Sequence, residues 1–397
     1  MNGRENSMIT LIQNGQVFAP EPLGARDVLI AGGRLAAVRG PGSVRVNGAD
    51  MTTIDASGKY VVPGLIDTHV HILGGGGEGG PATRAPEIRV EDIVSSGVTT
   101  LVGCLGTDGT TRHMESLLAK ARGLETEGIS THIYSGSYEI PVRTFTGSVR
   151  TDLILIDKVI GAGEIAISDH RSSQPTFEEF ARLAAECRVG GMLSGKAGVL
   201  HCHLGDGPRK LDYFFRLVRE TEIPPTQVMP THVNRSRELF EEGIRWIKAG
   251  GFVDLTTGPD PDPVKEPDVS IEDCVRLFLE NGVPVKRWTV SSDSNGSFPV
   301  FDKSGKLIAL TIASERDLFR KFRDLVRKGL LKLEDALRPF TTNGADFYKL
   351  VHKGRIAEGL DADILILNKS LELDTVIARG RRMMEDGKVI VRGTFSA

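Results

Sequence analysis

Apolar and polar positions alternate in two different ways along the chain. The first sixty and the last forty residues consist of short β-rich runs separated by glycine-containing turns such as Asn14-Gly15 and Gly32-Gly33. The runs are 8–18, 27–31, 34–38 and 53–55 near one end, and 363–367, 375–378, 381–384 and 389–392 near the other. We predict that the two ends pair into one small β-sandwich domain, formed by residues 1–61 and 351–397.

The middle of the chain has a longer repeat, in which short apolar runs alternate with amphipathic segments such as 176–188 and 235–249. The predicted strands are 60–72, 99–103, 131–138, 164–170, 199–204, 228–233, 252–257 and 288–293. Eight strands alternating with helices predict an α/β fold, a parallel (β/α)8 TIM-like barrel over residues 62–350. The active site of such a barrel lies at the C-terminal ends of its strands.

Composition limits the classes of function. The chain has 397 residues, 40% hydrophobic and 25% charged, with a formal net charge of −3, so no general attraction to nucleic acid or to an anionic membrane is expected. No apolar run reaches the length of about 18 residues that a membrane span needs. The opening MNGRENSMIT lacks the pattern of a signal peptide. Cys104, Cys187, Cys202 and Cys274 form no CxxC pair. These observations predict a cytoplasmic protein with reduced thiols and with neither nucleic acid nor membrane as a partner.

Histidines and one aspartate stand at the predicted strand ends. His69 and His71 end the first barrel strand, and their spacing directs both imidazoles to one side. His203, His232 and Asp293 end the fifth, sixth and eighth strands. Imidazole and carboxylate groups are zinc ligands, and the strand ends of a barrel converge. We therefore predict a metal centre in which two ions could share these ligands.

Four longer motifs carry a more specific resemblance. They are GLIDTHVHILGGGGEGGP (64–81), AISDHRS (166–172), PTHVNR (230–235) and SSDSNGS (291–297). Together they resemble the isoaspartyl (β-aspartyl) dipeptidases of the amidohydrolase superfamily, and the likeness runs almost end to end. The HxH pair alone is shared across the superfamily, whereas the glycine run with Glu78, AISDHR and PTHVNR are far more selective.

The resemblance implies a binuclear zinc metallopeptidase that cleaves β-aspartyl dipeptides through a metal-bridged hydroxide. His69 and His71 would bind the more buried zinc together with Asp293, and His203 and His232 would bind the second. Asp293 would accept the proton of the hydroxide and pass it to the leaving amine.

The resemblance also implies how the substrate is bound. The hydroxyl of Tyr138 would hydrogen-bond the carbonyl oxygen as charge develops. Glu78 would pair with the free α-amino group of the dipeptide. The aspartyl α-carboxylate would be bound by the backbone of Gly76 together with Thr107 and Ser297. The carboxylate of the departing residue would be bound by the guanidinium groups of Arg171 and Arg235.

One position departs from the family pattern. In the family, a carboxylated lysine bridges the two zincs. When the sequence is aligned on AISDHRS, that lysine position is occupied by Glu164, which we place just ahead of the fourth strand. A glutamate offers one oxygen to each cation but is shorter, so the backbone must approach or the metal pair must shift. Either Glu164 bridges two Zn²⁺, or the site holds one metal or is weakened. We expect Lys158 to lie off the barrel face and His201 to lie one layer deeper than His203.

Two other readings of function stay open. The scaffold could serve an amidohydrolase acting on a cyclic amide or an N-acyl amino acid, as dihydroorotase, hydantoinase and D-aminoacylase do. It could also serve a metal-free structural or interaction protein, although every ligand position except the bridge matches the family. The resemblance further implies a homo-oligomer, and the composition of residues 139–150 suggests a loop over the site.

Overall fold

The structure is a computed structural model that describes residues 9–258, 269–301 and 306–396. Residues 1–8 and 397 of the predicted small domain, including Met8 of its first strand, lie outside the described residues. Residues 259–268 and 302–305 of the predicted barrel also lie outside them.

A nine-stranded sheet joins the two ends of the chain. Its N-terminal strands are β1 (Ile9–Phe18), β2 (Pro22–Ala31), β3 (Arg34–Arg39), β4 (Thr52–Asp55) and β5 (Tyr60–Pro63). Its C-terminal strands, numbered in chain order after those of the barrel, are β16 (Ile364–Leu367), β17 (Leu373–Ala378), β18 (Arg381–Glu385) and β19 (Lys388–Val389). The strand order is β19-β18-β17-β16-β5-β1-β2-β3, and β4 pairs with β1. The antiparallel pairing of β5 with β16 is the point at which the two ends of the chain meet.

Successive side chains of β16 point to opposite faces of the sheet and pack into two different cores. Ile364 and Ile366 pack into a small core of this domain, whereas Leu365 and Leu367 pack into the large core that includes the barrel helices. A strand turns successive side chains to opposite faces, so a continuous apolar run is what a strand buried on both faces requires. The small β-rich domain is therefore attached to the barrel through a buried apolar face.

The barrel consists of eight strands separated by helices and loops. The strands are β6 (Leu65–Val70), β7 (Val98–Gly103), β8 (Ser130–Ser135), β9 (Val159–Ile167), β10 (Val199–Leu204), β11 (Val228–Thr231), β12 (Val253–Thr256) and β13 (Trp288–Ser291). Parallel pairs connect β6 to β11 in sequence and β12 to β13. A parallel bridge between Val70 and Ser294 joins the β13 side to β6, and the amide of Val233, just past β11, donates to the carbonyl oxygen of Asp254 in β12 at 3.3 Å. The predicted (β/α)8 class is confirmed.

Ten helices are described. They are α1 (Val90–Val94), α2 (Met114–Glu127), α3 (Val149–Leu155), α4 (Phe177–Ser194), α5 (Asp212–Glu220), α6 (Arg237–Lys248), α7 (Ile271–Glu280), α8 (Arg316–Arg327), α9 (Leu333–Leu337) and α10 (Thr342–Phe347). A hairpin of β14 (Ser297–Phe301) and β15 (Leu307–Ile312) follows the last barrel strand. Short 3-10 turns span Pro81–Thr83, Pro225–Gln227, Val285–Arg287 and Arg338–Phe340. Helix α4 begins at a capping box, in which Thr176 and Glu179 exchange side-chain and backbone hydrogen bonds. Among the described residues, no helix combines the length and the apolar character needed to cross a membrane.

The predicted first barrel strand, 60–72, is wrong as a single element. It is two strands, β5 in the small sheet and β6 in the barrel, with Gly64 between them. A Cβ at Gly64 would lie 2.2 Å from Oγ1 of Thr99, so only glycine lets the chain pass this close to β7. The apolar run continues through the break because residues on both sides are buried.

Candidate active site

Six buried side chains converge at the C-terminal ends of the barrel strands. His69 lies in β6 and His71 just past it, and Glu164 lies in β9 and His203 in β10. His232 directly follows β11, and Asp293 lies two residues past the end of β13. All six are at most 7% exposed. The structure thus brings together every residue that the sequence analysis assigned to the metal centre.

The carboxylate of Glu164 lies in the middle of this group. Its Oε2 is 3.4 Å from Nε2 of His69, 3.1 Å from Nδ1 of His203 and 3.6 Å from Nε2 of His232. Its Oε1 is 3.2 Å from Nε2 of His71. Oδ1 of Asp293 is 3.0 Å from Nε2 of His71 and 3.4 Å from Nε2 of His69. The carboxylate of Glu164 therefore faces all four imidazoles. The carboxylate of Asp293 lies against the two histidines at the end of β6, His69 and His71.

Three of these atoms are close to one another without forming hydrogen bonds. Nε2 of His69, Oε1 of Glu164 and Oδ1 of Asp293 are buried and have no hydrogen-bond partner among the described residues. Leaving such groups unsatisfied costs about 1–3 kcal/mol each. Lone pairs that converge in this way are what a cation requires, so the residues fit a metal centre.

The nitrogen on the far side of three imidazoles is held by a neighbour. Nε2 of His203 lies 2.9 Å from Oδ2 of Asp169, and Nδ1 of His232 lies 2.6 Å from Oγ1 of Thr256. Nδ1 of His69 lies 2.8 Å from Nε2 of His201, which is the deeper histidine. Such contacts fix ring orientation and tautomer in metal-binding histidines. Each ring consequently presents its other nitrogen to Glu164.

Two of the six residues have an unusual backbone. His232 has φ of 60° and Asp293 has φ of 54°, the left-handed region that residues with a Cβ seldom adopt. Strain of this kind costs about 1–3 kcal/mol and concentrates at functional sites. Both residues lie within two residues of the end of a barrel strand, so the turn directs their side chains into the group.

Strand β9 explains how the short side chain of Glu164 reaches the centre. The pairing of β9 with β10 shifts by one residue here, because Ala162 pairs with Leu200 and Ile165 pairs with Cys202. Gly163 and Glu164 together oppose the single residue His201, which is a β-bulge. Bulges redirect side chains beside active sites. The sequence analysis placed Glu164 at or just ahead of the start of its strand, and this was wrong, since β9 begins five residues earlier.

Lys158 lies at the opposite end of β9 and off the barrel face, as expected. Its Nζ donates to the carbonyl oxygen of Thr131 at 2.9 Å and lies 2.6 Å from a carboxylate oxygen of Glu125.

The electrostatics of the six residues depend on their mutual charges. Burial alone would raise the pKa of Glu164, but the charge of His69 and hydrogen bonds from His203 and His232 hold it well below its usual value. Burial also opposes ionisation of Asp293, yet His232, His71 and His69 lower its pKa to about 2. Burial lowers the pKa of His232 to about 3. Two ionised carboxylates beside a neutral imidazole form a ligand set for a divalent cation.

A small cavity adjoins the metal centre and is lined by all of the predicted substrate-binding residues. These are Gly76, Glu78, Thr107, Tyr138, Arg171, Arg235 and Ser297, and the cavity also touches His71, His203 and Asp293. The roles of these residues stay predictions, but their grouping around one space is a feature of the structure. Gly75, Gly106, Phe298 and Pro299 line the same space and were not singled out from the sequence.

Glu78 is the centre of a charged cluster in this cavity. It accepts hydrogen bonds from the hydroxyls of Thr107 at 3.1 Å and Ser297 at 3.0 Å. Its Oε1 lies 3.5 Å from NH1 of Arg171. Arg171 and Asp169 form a two-point ion pair, with Nε to Oδ1 at 3.0 Å and NH2 to Oδ2 at 2.8 Å. The cluster therefore offers separate binding positions for a cationic and an anionic group.

Tyr138 lies beside these groups, although not in a strand. Strand β8 ends at Ser135, so the prediction that Tyr138 belongs to the third strand was wrong; the strand stops before Gly136, which has φ of 108°. The hydroxyl of Tyr138 lies 2.9 Å from Nδ1 of His203, and Arg171 stands 5.5 Å from the ring centroid. Burial and the charges of nearby carboxylates raise the pKa of Tyr138 despite Arg171, which keeps its hydroxyl a hydrogen-bond donor.

The glycine run after β6 is an ordered turn fixed by a residue that the sequence did not reveal. The guanidinium of Arg112 is buried and donates to the carbonyl oxygens of Leu73, Gly76 and Ala85 at 3.1–3.3 Å. Gly76 has φ of 78°, and a Cβ there would lie 2.4 Å from the carbonyl oxygen of Thr83. The glycine is therefore required at this position.

Asp169 and Cys104 were also missed. Asp169 belongs to the AISDHRS motif, but its contact with His203 crosses between two strands and leaves no spacing signal. Cys104 follows β7, and its Sγ lies 3.9 Å from Nδ1 of His71. Together with His69, His71 and Glu164 it forms one of three groups close enough to hold an ion. Residues 139–148, within the loop predicted over the site, contact Ser173 and Thr110 from neighbouring loops.

Comparison with known proteins agrees with this geometry. A profile of the amidohydrolase family matches residues 271–389. The crystal structure of β-aspartyl dipeptidase from Fervidobacterium islandicum AW-1, in complex with a β-Asp-Leu dipeptide, is 47% identical and has a TM-score of 0.92 over 98% of both chains. Dihydropyrimidinase from Brevibacillus agri NCHU1002 is 17% identical with a TM-score of 0.65 over 97% of both chains, a likeness of fold alone.

Curated relatives include longer enzymes. An adenine deaminase from Halalkalibacterium halodurans is 24% identical over 96% of this chain. The chain spans 58% of that protein's length.

An eight-stranded barrel with histidines and carboxylates at its strand ends is the architecture of the amidohydrolase superfamily, a class of hydrolases. The profile match and the shared fold agree with this class. At 47% identity over almost the whole of both chains, this chain belongs to the β-aspartyl dipeptidase family within that superfamily.

Proposed function

We propose that the protein is a zinc dipeptidase that hydrolyses β-aspartyl (isoaspartyl) dipeptides. The observation that carries the proposal is the charged cluster of Glu78, Thr107, Ser297 and Arg171 in one cavity with the metal centre. A β-aspartyl dipeptide has one ammonium group and two carboxylates. This cluster offers a carboxylate for the ammonium group, a guanidinium for one carboxylate and two hydroxyls for the other. The relative from Fervidobacterium islandicum, whose structure contains β-Asp-Leu, supports the same substrate class.

The ligand set favours two zinc ions. Four imidazoles and two carboxylates, all buried, form a nitrogen-rich set of the kind that zinc prefers over magnesium or calcium. His69, His71 and Asp293 would hold one ion, His203 and His232 the other, and Glu164 would offer one oxygen to each. When bound, zinc lowers the pKa of water towards neutrality and polarises a carbonyl group.

The chain's own residues would bind and orient the dipeptide. Glu78 would pair with the α-ammonium group, and the backbone of Gly76 with the hydroxyls of Thr107 and Ser297 would bind the aspartyl α-carboxylate. Arg171 and Arg235 would bind the carboxylate of the departing residue, because a guanidinium matches a carboxylate at two points.

Proton transfer falls to Asp293. A water molecule adds to the side-chain carbonyl carbon, and its proton passes to the carboxylate of Asp293. The hydroxyl of Tyr138 would donate to the carbonyl oxygen as negative charge builds there. Asp293 then gives the proton to the amine nitrogen as the C–N bond breaks, which releases aspartate and the second amino acid.

The reading as a cyclic-amide or N-acyl amino acid hydrolase has less support. A cyclic amide such as dihydroorotate has no ammonium group for Glu78. Adenine, the substrate named for the curated deaminases, has no carboxylate for the two arginines.

The deciding experiment measures hydrolysis of β-Asp-Leu, α-Asp-Leu, dihydroorotate and adenine by one preparation whose zinc content is also measured. We expect selective cleavage of β-Asp-Leu by protein with two zincs per chain. If the protein holds two zincs but does not cleave β-Asp-Leu, the dipeptidase proposal is wrong, whereas the proposed metal centre is supported. A Glu164→Gln variant should hold fewer than two zincs, and retention of both would contradict a bridging role.

Assembly and location are further parts of the proposal. We propose a homo-oligomer, which sedimentation velocity would test. We also propose a cytoplasmic location, supported by the four cysteines, all of which are buried and free of disulfides.

A further inference from the structure

A second cavity, of about 650 Å³, lies at the opposite end of the barrel. Its walls are the N-terminal ends of β8, β9 and β10, residues 348–353 after α10, and the turns of the small sheet at Arg34, Asp361 and Arg379. Its volume is in the range of small-molecule sites, about 300–1,000 Å³. None of the residues assigned to the dipeptidase reaction lines it.

The cavity is strongly cationic. Seven lysine and arginine side chains line it, against three carboxylates. Two of the three carboxylates are already paired: Asp361 lies 2.8 Å from Nζ of Lys353 and 3.4 Å from NH1 of Arg34, and Glu125 lies 2.6 Å from Nζ of Lys158 and 3.6 Å from NH1 of Arg379. The third, Asp157, interacts electrostatically with Lys196.

Two lysines of the wall donate hydrogen bonds to backbone carbonyl oxygens. Nζ of Lys196 donates to the carbonyl oxygens of Leu153 and Ile156, at 2.8 and 2.6 Å. Nζ of Lys349 donates to the carbonyl oxygen of Lys196 at 3.3 Å. Within the described parts of the chain, neither lysine forms an ion pair with a carboxylate, and neither does Arg122. Positive charge therefore remains uncompensated around a space that could hold an anion.

A histidine in the wall gives independent evidence. Nδ1 of His132 is shut off from solvent and has no hydrogen-bond partner among the described residues. Burial and the positive charges of Lys158, Lys353 and Lys196 lower the pKa of His132 to about 3, so the ring is neutral. Burial, Arg379 and Arg122 also lower the pKa of Lys158 against the opposing effect of Glu125. A bound anion would relieve both penalties.

We propose that this cavity binds a small multivalent anion, a molecule with two or more phosphate or carboxylate groups, at the end of the barrel remote from the dipeptidase site. Arg122 and Arg379 are exposed at its rim and would contact the anion first, with Lys196 and Lys349 beside them. Guanidinium and ammonium groups bind such oxygens through charge-assisted hydrogen bonds. The proposal does not depend on which substrate the enzyme hydrolyses.

Calorimetry on the zinc-loaded protein tests the proposal, with inorganic phosphate and ethanedisulfonate as probes at constant ionic strength. The sulfonate is included because it binds zinc weakly. We expect saturable binding of both probes, weakened by about tenfold or more in an Arg122→Ser/Arg379→Ser double variant. The control is Arg237→Ser/Arg276→Ser, which removes the same charge from exposed positions on α6 and α7 and should change the affinity less than about twofold.

A spectroscopic measurement identifies the place of binding. The His132 imidazole resonance, assigned by its loss in His132→Asn, should shift when phosphate is added. Absence of saturable binding with either probe would overturn the proposal. Equal loss of affinity in both double variants, or an unmoved His132 resonance, would also overturn it.

Discussion

The two ends of the barrel bury polar groups in opposite ways. At the C-terminal end, Glu164 and Asp293 direct carboxylate oxygens without hydrogen-bond partners towards imidazole nitrogens. At the N-terminal end, the ammonium groups of Lys158 and Lys196 are hydrogen-bonded to backbone carbonyl oxygens. One end leaves acceptors open and suits cations, whereas the other carries excess positive charge and suits an anion.

The same strands supply both ends. Strand β9 begins beside Lys158 and carries Glu164, and β10 begins beside Lys196 and carries His203. The barrel separates the two sets of charges by the length of a strand, so each end can be altered without removing groups from the other. The following predictions use this separation, beginning with the largest expected effect.

Replacing Asp293 by asparagine should slow the hydrolysis that we propose at the C-terminal end of the barrel. Asparagine cannot accept and return a proton, so kcat for β-Asp-Leu should fall by about 10²- to 10⁴-fold, the usual contribution of a general acid–base group. Steady-state kinetics together with zinc analysis will separate lost proton transfer from lost metal. Asp206→Asn, at an exposed carboxylate in the loop after β10, is the matched control and should keep kcat. A wild-type kcat in Asp293→Asn would refute the assignment.

Replacing Asp169 by asparagine tests whether the contacts behind the imidazoles matter. The change removes the charge that holds Nε2 of His203, so zinc at the His203 and His232 position should bind about 10- to 100-fold more weakly. Titration in metal buffers should resolve two affinities, of which only one changes. If both affinities fall equally, Asp169 stabilises the whole site and does not orient His203.

Replacing His132 by asparagine examines the N-terminal end and should have the smallest effect. The folded-state pKa of His132, about 3, lies below its usual value of 6.5, so the unfolded chain binds more protons between these values. This histidine therefore makes the protein less stable as the pH falls from about 6.5 towards 3. The variant should recover about 2 kcal/mol of unfolding free energy in acid relative to wild type, after allowance for partial exposure.

Denaturant unfolding across that pH range measures the difference. The control is His113→Asn, at an exposed histidine at the N-terminus of α2. An acid profile of His132→Asn identical to that of wild type would show that the positive potential at this end is weaker than the lysines suggest.

Most of the barrel, and the grouping of histidines and carboxylates at its strand ends, could be predicted because each depends on local patterns. Apolar runs mark the strands, and a histidine at a strand end needs only that strand to be placed. The remainder depends on contacts between strands. The bulge at Gly163 and Glu164 exists only in the pairing of β9 with β10. The role of Asp169 depends on its contact with His203, which belongs to a different strand. The cationic cavity was not visible in the sequence because its residues come from six separate parts of the chain.

Gly64 has a consequence for the modularity of the molecule. It is the single residue between the last N-terminal strand of the small sheet and the strand that bears His69. Its amide donates to the carbonyl oxygen of Asp363 at 2.9 Å, and the next amide donates to Gly97 at 3.0 Å. The small sheet and the catalytic strand thus share one stretch of backbone, with no linker to absorb movement. The barrel cannot be excised cleanly from the small sheet, because a cut at this point releases the end of the strand that carries His69 and leads directly to His71.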